Sequence, residues 1–183
     1  MSAVRKRGFS LLEVLAVVLI LGTLGLAAVI SLRPAGALCV DSASQVVGEA
    51  LRFARSEARR HGEPRAFRVL PAAGSIEVFE PDPAAATTAF GASVNDPLTK
   101  RAYQVDLRDL PGCARIAIAD TPPPFAYTGL AGQRTSVAFD ERGEPYLLDS
   151  GVRRALSSGQ VDLQLDEESR AIQLSSIGRV TLP

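Results

Sequence analysis

Glu13 is the only acid between Val4 and Leu32, in a stretch that otherwise suits the centre of a bilayer. A carboxylate at that depth costs about 2.5 to 3.5 kcal/mol on insertion scales and persists mainly when it has a partner. Either a cation meets it, or it lies close enough to the membrane face to snorkel into the headgroups. Other reactive groups are sparse. His61 is the only imidazole, and beside Arg59 and Arg60 at a helix end it suits the negative helix terminus better than general-base work. Serine-histidine-aspartate chemistry would depend on it alone. The carboxylates in SVNDP (residues 93–97) and FDERGEP (residues 139–145) offer oxygens of the kind calcium takes, but lack a loop-ligand spacing. They read as solvated turns. No GxxxxGK[ST] loop is present, so any mechanical work would be driven by a separate ATPase. With 46% hydrophobic residues, no Trp, and 20 basic against 20 acidic side chains, the composition points to a structural subunit rather than an enzyme, with no cofactor or metal implied.

The elements that carry these groups begin with an apolar span. From Val14 to Leu32, 19 consecutive residues are uncharged, and as a helix they reach roughly 28 Å, the thickness of a hydrocarbon core. Arg5, Lys6 and Arg7 precede the span and should stay cytoplasmic, placing everything after Leu32 across the membrane. A secretory signal would have a shorter apolar region with a small-residue cleavage site after it. Here Gly8 stands before the apolar run.

The order Gly8, Phe9, Ser10, Leu11, Leu12, Glu13, Val14 behind a short basic leader resembles the class III leader of type IV prepilins and type II secretion pseudopilins. The resemblance implies that a membrane peptidase cuts after Gly8 and methylates the new amino terminus at Phe9. Removing the eight leader residues from 183 leaves 175, with 17 basic against 20 acidic side chains. It also implies that Glu13 is an assembly residue, paired with the Phe9 amine of an adjacent subunit. The expected organisation is a leader at 1–8, a transmembrane and filament-core helix half at 9–32, an amphipathic periplasmic helix half at 33–61, and a β-rich globular domain at 62–183.

Beyond Leu32, Pro34 removes an amide donor and Gly36 adds backbone freedom, so a bend or loosened turn is expected there. Gly22 and Gly25 act similarly inside the span. Helical periodicity resumes with Val40, Ala43, Val47, Leu51, Ala54 and Ala58 on one face. Gly62, Glu63 and Pro64 supply the stop. One long, interrupted helix is therefore expected from about Phe9 to His61. The rest reads as short strands between turns. RAFRVL from Arg65 and SIEVFE from Ser75 flank PAAG as a hairpin, with Phe67, Val69, Ile76 and Val78 as core candidates. Further strands are expected in AYQVDL from Ala102, ARIAIAD from Ala114, TSVAF from Thr135, PYLLD from Pro145, QVDLQLD from Gln160, AIQLS from Ala171 and GRVTL from Gly178. In QVDLQLD, Val161, Leu163 and Leu165 point one way and Asp162 and Gln164 the other, as a half-solvated antiparallel strand requires. Pro81 to Arg101 reads as an exposed loop, and TPPPF from Thr121 as an extended polyproline connector. The fold class is α+β: a long amino-terminal helix packed on a carboxy-terminal antiparallel β domain, type IV pilin-like.

Within the pseudopilins, VAFDERGEPYLL (residues 137–148) and RAIQLSSIGRVTL (residues 170–182) resemble the carboxy-terminal sheet of the H-type minor pseudopilin, through Phe139, Gly143 and Gly178. These motifs are generic turn chemistry. The resemblance implies a minor pseudopilin of a type II protein secretion system that helps to initiate or cap a periplasmic pseudopilus. Its partners would be other minor and major pseudopilins, the prepilin peptidase and the inner-membrane secretion platform. The chain would be single-pass in the bacterial inner membrane, with its carboxy-terminal domain in the periplasm. The alternative is a minor type IV pilin of the DNA-uptake kind, whose Arg153, Arg154, Arg170 and Arg179 would contact phosphates. The interspersed acids argue against that reading. An oxidising periplasm would permit a Cys39–Cys113 disulfide. Cys39 follows Pro34 closely, however, near the membrane and far from a strand end, which weighs against the bridge without deciding it.

Overall fold

The computed structural model describes residues 11, 14–21, 35–85 and 87–182. The chain divides into two units, residues 1–34 and 35–183. In the first, residues 14–21 are helical and entirely apolar. Among the described residues no helix is long and apolar enough to cross a membrane.

The second unit is a helix laid on an antiparallel sheet. Helix α1 (Ala35–His61) buries Val40, Ala43, Val47, Leu51, Ala54 and Ala58 completely, the face its three- and four-residue spacing defines. Four of the buried positions on α1 are alanines, Ala43, Ala50, Ala54 and Ala58, so the helix axis can approach the sheet closely. Leu51 is the large side chain among them, and burying it is worth about 1.5 to 3 kcal/mol. Gly36 is helical rather than part of a loosened turn. The first turn of α1 lies against Leu165 and Glu168, and this tertiary support outweighs the roughly 1 kcal/mol that glycine costs inside a helix. Gly22, Gly25 and Pro34 lie outside the described residues. At the other end Gly62, at φ +67°, closes the helix with its amide donating to the Ala58 carbonyl at 3.0 Å. Glu57 Oε2 lies 3.0 Å from His61 Nε2, so the imidazole is held by the helix's own last turn.

Strands β1 (Arg65–Leu70) and β2 (Ser75–Pro81) form the expected hairpin around a 3₁₀ turn at Pro71–Ala73. Their register sets Phe67 opposite Val78 and Val69 opposite Ile76, and all four are buried beneath α1. The sheet continues through β3 (Phe90–Ser93), β4 (Gln104–Asp106), β5 (Ala117–Ile118), β6 (Phe125–Tyr127), β7 (Gln133–Arg134), β8 (Ser136–Phe139), β9 (Pro145–Asp149), β10 (Val152–Leu165), β11 (Glu168–Leu174) and β12 (Val180–Thr181). Its main path runs β12-β11-β10-β9-β8-β1-β2-β3; β4 pairs with β2, β5 and β6 with β10, and β7 with β6. Val161, Leu163 and Leu165 are buried in β10, with Asp162 and Gln164 on the wetter face.

Several segments depart from the sequence reading, which did not expect strands β6 and β7 at all. Strand β10 begins eight residues before Gln160, because pairing with β9 recruits VRRALSSG despite its arginines, serines and glycine. A bulge between Leu156 and Ser158 bends it against β6. Strand β3 lies inside the stretch expected to be loop; all four of its residues are exposed, so no buried face marks it. Residues 121–124 bend, with a cis bond before Pro122, and are not an extended polyproline stretch.

Cys39 and Cys113 are joined as a disulfide, their Cα atoms 5.4 Å apart. The sequence weighed against this bridge because Cys39 follows Pro34 so closely. In the fold, Cys39 and Val40 already open the buried face of α1, and the segment from Leu107 to Cys113 folds in to meet them, with both of its ends buried.

Candidate functional site

Gly8, Phe9 and Glu13 lie outside the described residues. Their described neighbours show the surface beside them: Leu11, Val14, Leu15 and Val18 recur at three- and four-residue spacing and are 85%, 52%, 62% and 63% exposed. Val17, Leu19, Ile20 and Leu21 are exposed as well. A helix that is apolar on every side belongs in lipid or among other helices.

At the far end of the second unit, α1 grips two glycine turns. Arg55 Nε donates to the Gly143 carbonyl at 3.0 Å and its Nη2 to the Ile177 carbonyl at 3.0 Å. Arg59 Nε donates to the Arg142 carbonyl at 2.8 Å. The turns after β8 and β11, both singled out in the sequence, thus converge on one helical turn. Gly178 has φ +78°, and a Cβ there would sit 2.8 Å from the Gly143 carbonyl oxygen. Only glycine lets the two turns approach so closely. Phe139, the third residue of that pattern, is fully buried in the core.

Asp140 shapes the first of these turns. Its Oδ1 accepts from the amides of Arg142 at 3.0 Å and Glu144 at 2.7 Å, and its Oδ2 from the Arg153 guanidinium, which covers the Tyr146 ring at 4.2 Å. Burial pushes the Asp140 carboxyl up, but the Arg153 hydrogen bond, the Glu144 amide, the Arg153 charge and the Arg142 amide together outweigh it and hold the pKa below the ordinary carboxylate value. A depressed pKa contributes stability that is present above the unfolded-state value and is lost as pH falls through the folded one. Thermal stability should therefore decline below about pH 4, and Asp140→Asn should flatten that decline in melts recorded across an acid series. An unaltered acid profile in the variant would remove Asp140 as its source.

A model for the prokaryotic N-terminal methylation motif matches residues 4–29. Among solved structures, the minor pseudopilin EpsH from the type II secretion system of Vibrio cholerae overlays with a TM-score of 0.50 at 14% identity, covering 79% of this chain and 95% of that one. A second EpsH crystal structure gives 0.50 at 13% identity over 80% and 94% of the two chains. The fold is type IV pilin-like. The type IV minor pilin FimU of Pseudomonas aeruginosa strain PAO1 also overlays, at a TM-score of 0.48 and 13% identity over 79% of this chain and 87% of that one. No curated protein sequence matches the chain.

In this pilin-like domain two of the four arginines of the DNA-binding alternative are engaged by carboxylates of the chain. Arg153 is taken by Asp140, and Arg170 by Asp41 on α1 at 2.8 Å and by Glu168 at 3.8 Å. Arg154 Nε is buried, and Arg179 follows the turn at Gly178, its amide donating to Ser175 Oγ at 3.0 Å. Phosphates would have to displace carboxylates from two of the four. The carboxylate of SVNDP is likewise employed within the chain: Asp96 Oδ1 accepts from the Leu98 and Thr99 amides at 2.8 and 2.7 Å. Sequence reasoning missed Arg55. Its acceptors lie 88 and 122 residues away, and nothing local sets it apart from the other arginines of the helix.

Proposed function

We propose that this chain is a minor pseudopilin of a type II protein secretion system, a structural subunit rather than an enzyme, which helps to initiate or cap a periplasmic pseudopilus. The observation that carries the reading is the pairing of an N-terminal methylation motif with a domain that overlays on EpsH along 95% of that protein. In this reading residues 1–8 are removed, Phe9 is methylated, and the apolar helix anchors the chain in the inner membrane with its domain in the periplasm. The chain then packs among other pseudopilins on the secretion platform. Glu13 is the assembly device: its carboxylate meets the Phe9 amine of an adjacent subunit, which offsets the roughly 3 kcal/mol that an unpaired acid costs at membrane depth.

Glu13→Gln tests the proposal, because neutralisation separates insertion from assembly. The span becomes more apolar, so the variant should reach the membrane and be processed at wild-type levels. It should nevertheless co-purify poorly with the other pseudopilins, and exoprotein secretion should fall. Unchanged co-purification and secretion, at equal amounts of protein, would leave Glu13 as a tolerated residue near the headgroups.

A further inference from the structure

The chain carries its positive charge almost entirely as arginine: of its 20 basic side chains only Lys6 and Lys100 are lysines. Lys6 stands in the leader stretch, and the Lys100 charge acts on the Asp96 carboxylate of its own turn. The second unit nevertheless holds a pocket whose acceptors suit an ammonium group better than a guanidinium.

This pocket, of about 360 Å³, opens beside the start of β1, with Pro81, Tyr146 and Leu148 among its walls. Thr88 fastens one wall, its amide donating to the Leu148 carbonyl at 2.9 Å and its Oγ1 accepting from the Leu148 amide at 2.8 Å. Three carboxylates line it, those of Glu63, Glu80 and Asp82, against one cation, Arg65. The Arg65 side chain is only 7% exposed and shares a single nitrogen, Nη2, between Glu63 Oε2 and Glu80 Oε1, 3.1 Å from each. Asp82 Oδ1 accepts from the Ala84 amide at 2.9 Å. One oxygen of each carboxylate is thus engaged, while Glu63 Oε1, Glu80 Oε2 and Asp82 Oδ2 have no partner among the described residues. Glu63 and Glu80 are 65% and 44% exposed, so the site is open to a partner from outside.

We propose that this pocket receives a lysine side chain of a different pilin-like subunit, its aliphatic stem along Pro81, Tyr146 and Leu148 and its ammonium among the three carboxylates. Three carboxylates against one guanidinium leave negative charge unmet, which selects a cation. The acceptors then choose between cations. Arginine presents a planar fork that pairs best with both oxygens of one carboxylate, and here each carboxylate has one oxygen occupied. An ammonium carries three donors on a flexible stem and can meet single oxygens on three residues. Apolar walls suit that stem, because lysine buries its methylenes while its charged head stays at the polar rim. A second copy of the chain is a poor source, since its lysines are Lys6 in the leader and Lys100 beside Asp96. An unlike neighbour is also what a minor, initiating or capping subunit has beside it. The proposal rests on that reading and names a contact within it.

The test treats the full chain, in membranes that also hold the other secretion subunits, with a carbodiimide, which condenses a carboxylate and an amine in direct contact into an amide with loss of water. Peptide mapping should find Glu63, Glu80 or Asp82 joined to a lysine of another pilin-like subunit. Glu63→Gln combined with Asp82→Asn removes two charges but keeps an acceptor for Arg65 and for the Ala84 amide, so it leaves the fold alone. Without cross-linker, that double variant should co-purify with the same subunit about tenfold less well at equal amounts of protein, the size of effect expected for a charge-assisted hydrogen bond. Glu167→Gln, at an exposed acid in the turn between β10 and β11, should leave co-purification unchanged. A link to Lys100 of a second copy, links only to proteins that are not pilin-like, or no link from these three carboxylates in chains that still co-purify with pilin-like subunits would each overturn the contact while sparing the pseudopilin reading. Undiminished co-purification of the double variant would overturn it as well. A wild-type chain that co-purifies with no pilin-like subunit would overturn both.

Discussion

Cys39→Ala combined with Cys113→Ala should lower the stability of the helix-sheet domain by about 4 kcal/mol, the chain-entropy value for releasing a loop of this length. The residues are 74 apart in sequence, so the bridge removes much of the freedom an unfolded chain would otherwise recover. For a domain of this size the loss corresponds to a fall in Tm of about 10 to 15 °C. Thermal melts of the full chain in detergent, oxidised and reduced, should show it, and the reduced wild type should melt with the double variant. The bridge also fixes a particular place. It ties the first buried turn of α1 to the segment ending at Cys113, where the helix enters the domain. Protease should therefore reach the Leu107–Cys113 segment first in the reduced protein. A Tm difference of less than a few degrees would mean that packing around Cys39 and Cys113 already holds the two segments without the bond.

Local periodicity and distant acceptors account for what was and was not legible in the sequence. The buried face of α1 was legible residue by residue, because helical spacing alone determines which side chains share a side. The β1–β2 hairpin was legible for the same reason, its apolar positions alternating across a tight turn. Strand β10 was visible only where Val161, Leu163 and Leu165 alternate. Its first half is held by pairing with β9 and by the bulge at Leu156, which leave no apolar pattern. The Cys39–Cys113 bond and the Arg55 clasp were beyond reach, since each depends on where a segment many residues away returns to the helix. Gly143 and Gly178 were recognised as turn residues, yet their mutual approach under Arg55 emerges only in three dimensions. The amino-terminal motif is the opposite case: its order is read from the sequence, and Gly8, Phe9 and Glu13 lie outside the described residues.

Gly8→Val should abolish leader removal, and its consequences link the cleavage position to Glu13. In the wild type, intact mass should show a chain beginning at Phe9 with one added methyl group. A branched side chain at the scissile glycine would obstruct the peptidase, so the variant should retain residues 1–8 with Arg5, Lys6 and Arg7 attached. The nitrogen of Phe9 would then be an uncharged amide, with no amine to meet a carboxylate. Glu13 of a neighbouring subunit would lose its partner just as surely as if Glu13 itself were replaced. Gly8→Val should therefore reproduce the assembly defect of Glu13→Gln, and the double variant should assemble no worse than Gly8→Val alone. That non-additivity is the signature of two residues acting through one interaction. Two independent roles would instead give defects that add in co-purification and secretion assays. A wild-type chain that still carries residues 1–8 in cells with an active prepilin peptidase would remove the cleavage site, and with it the amine on which the role of Glu13 depends.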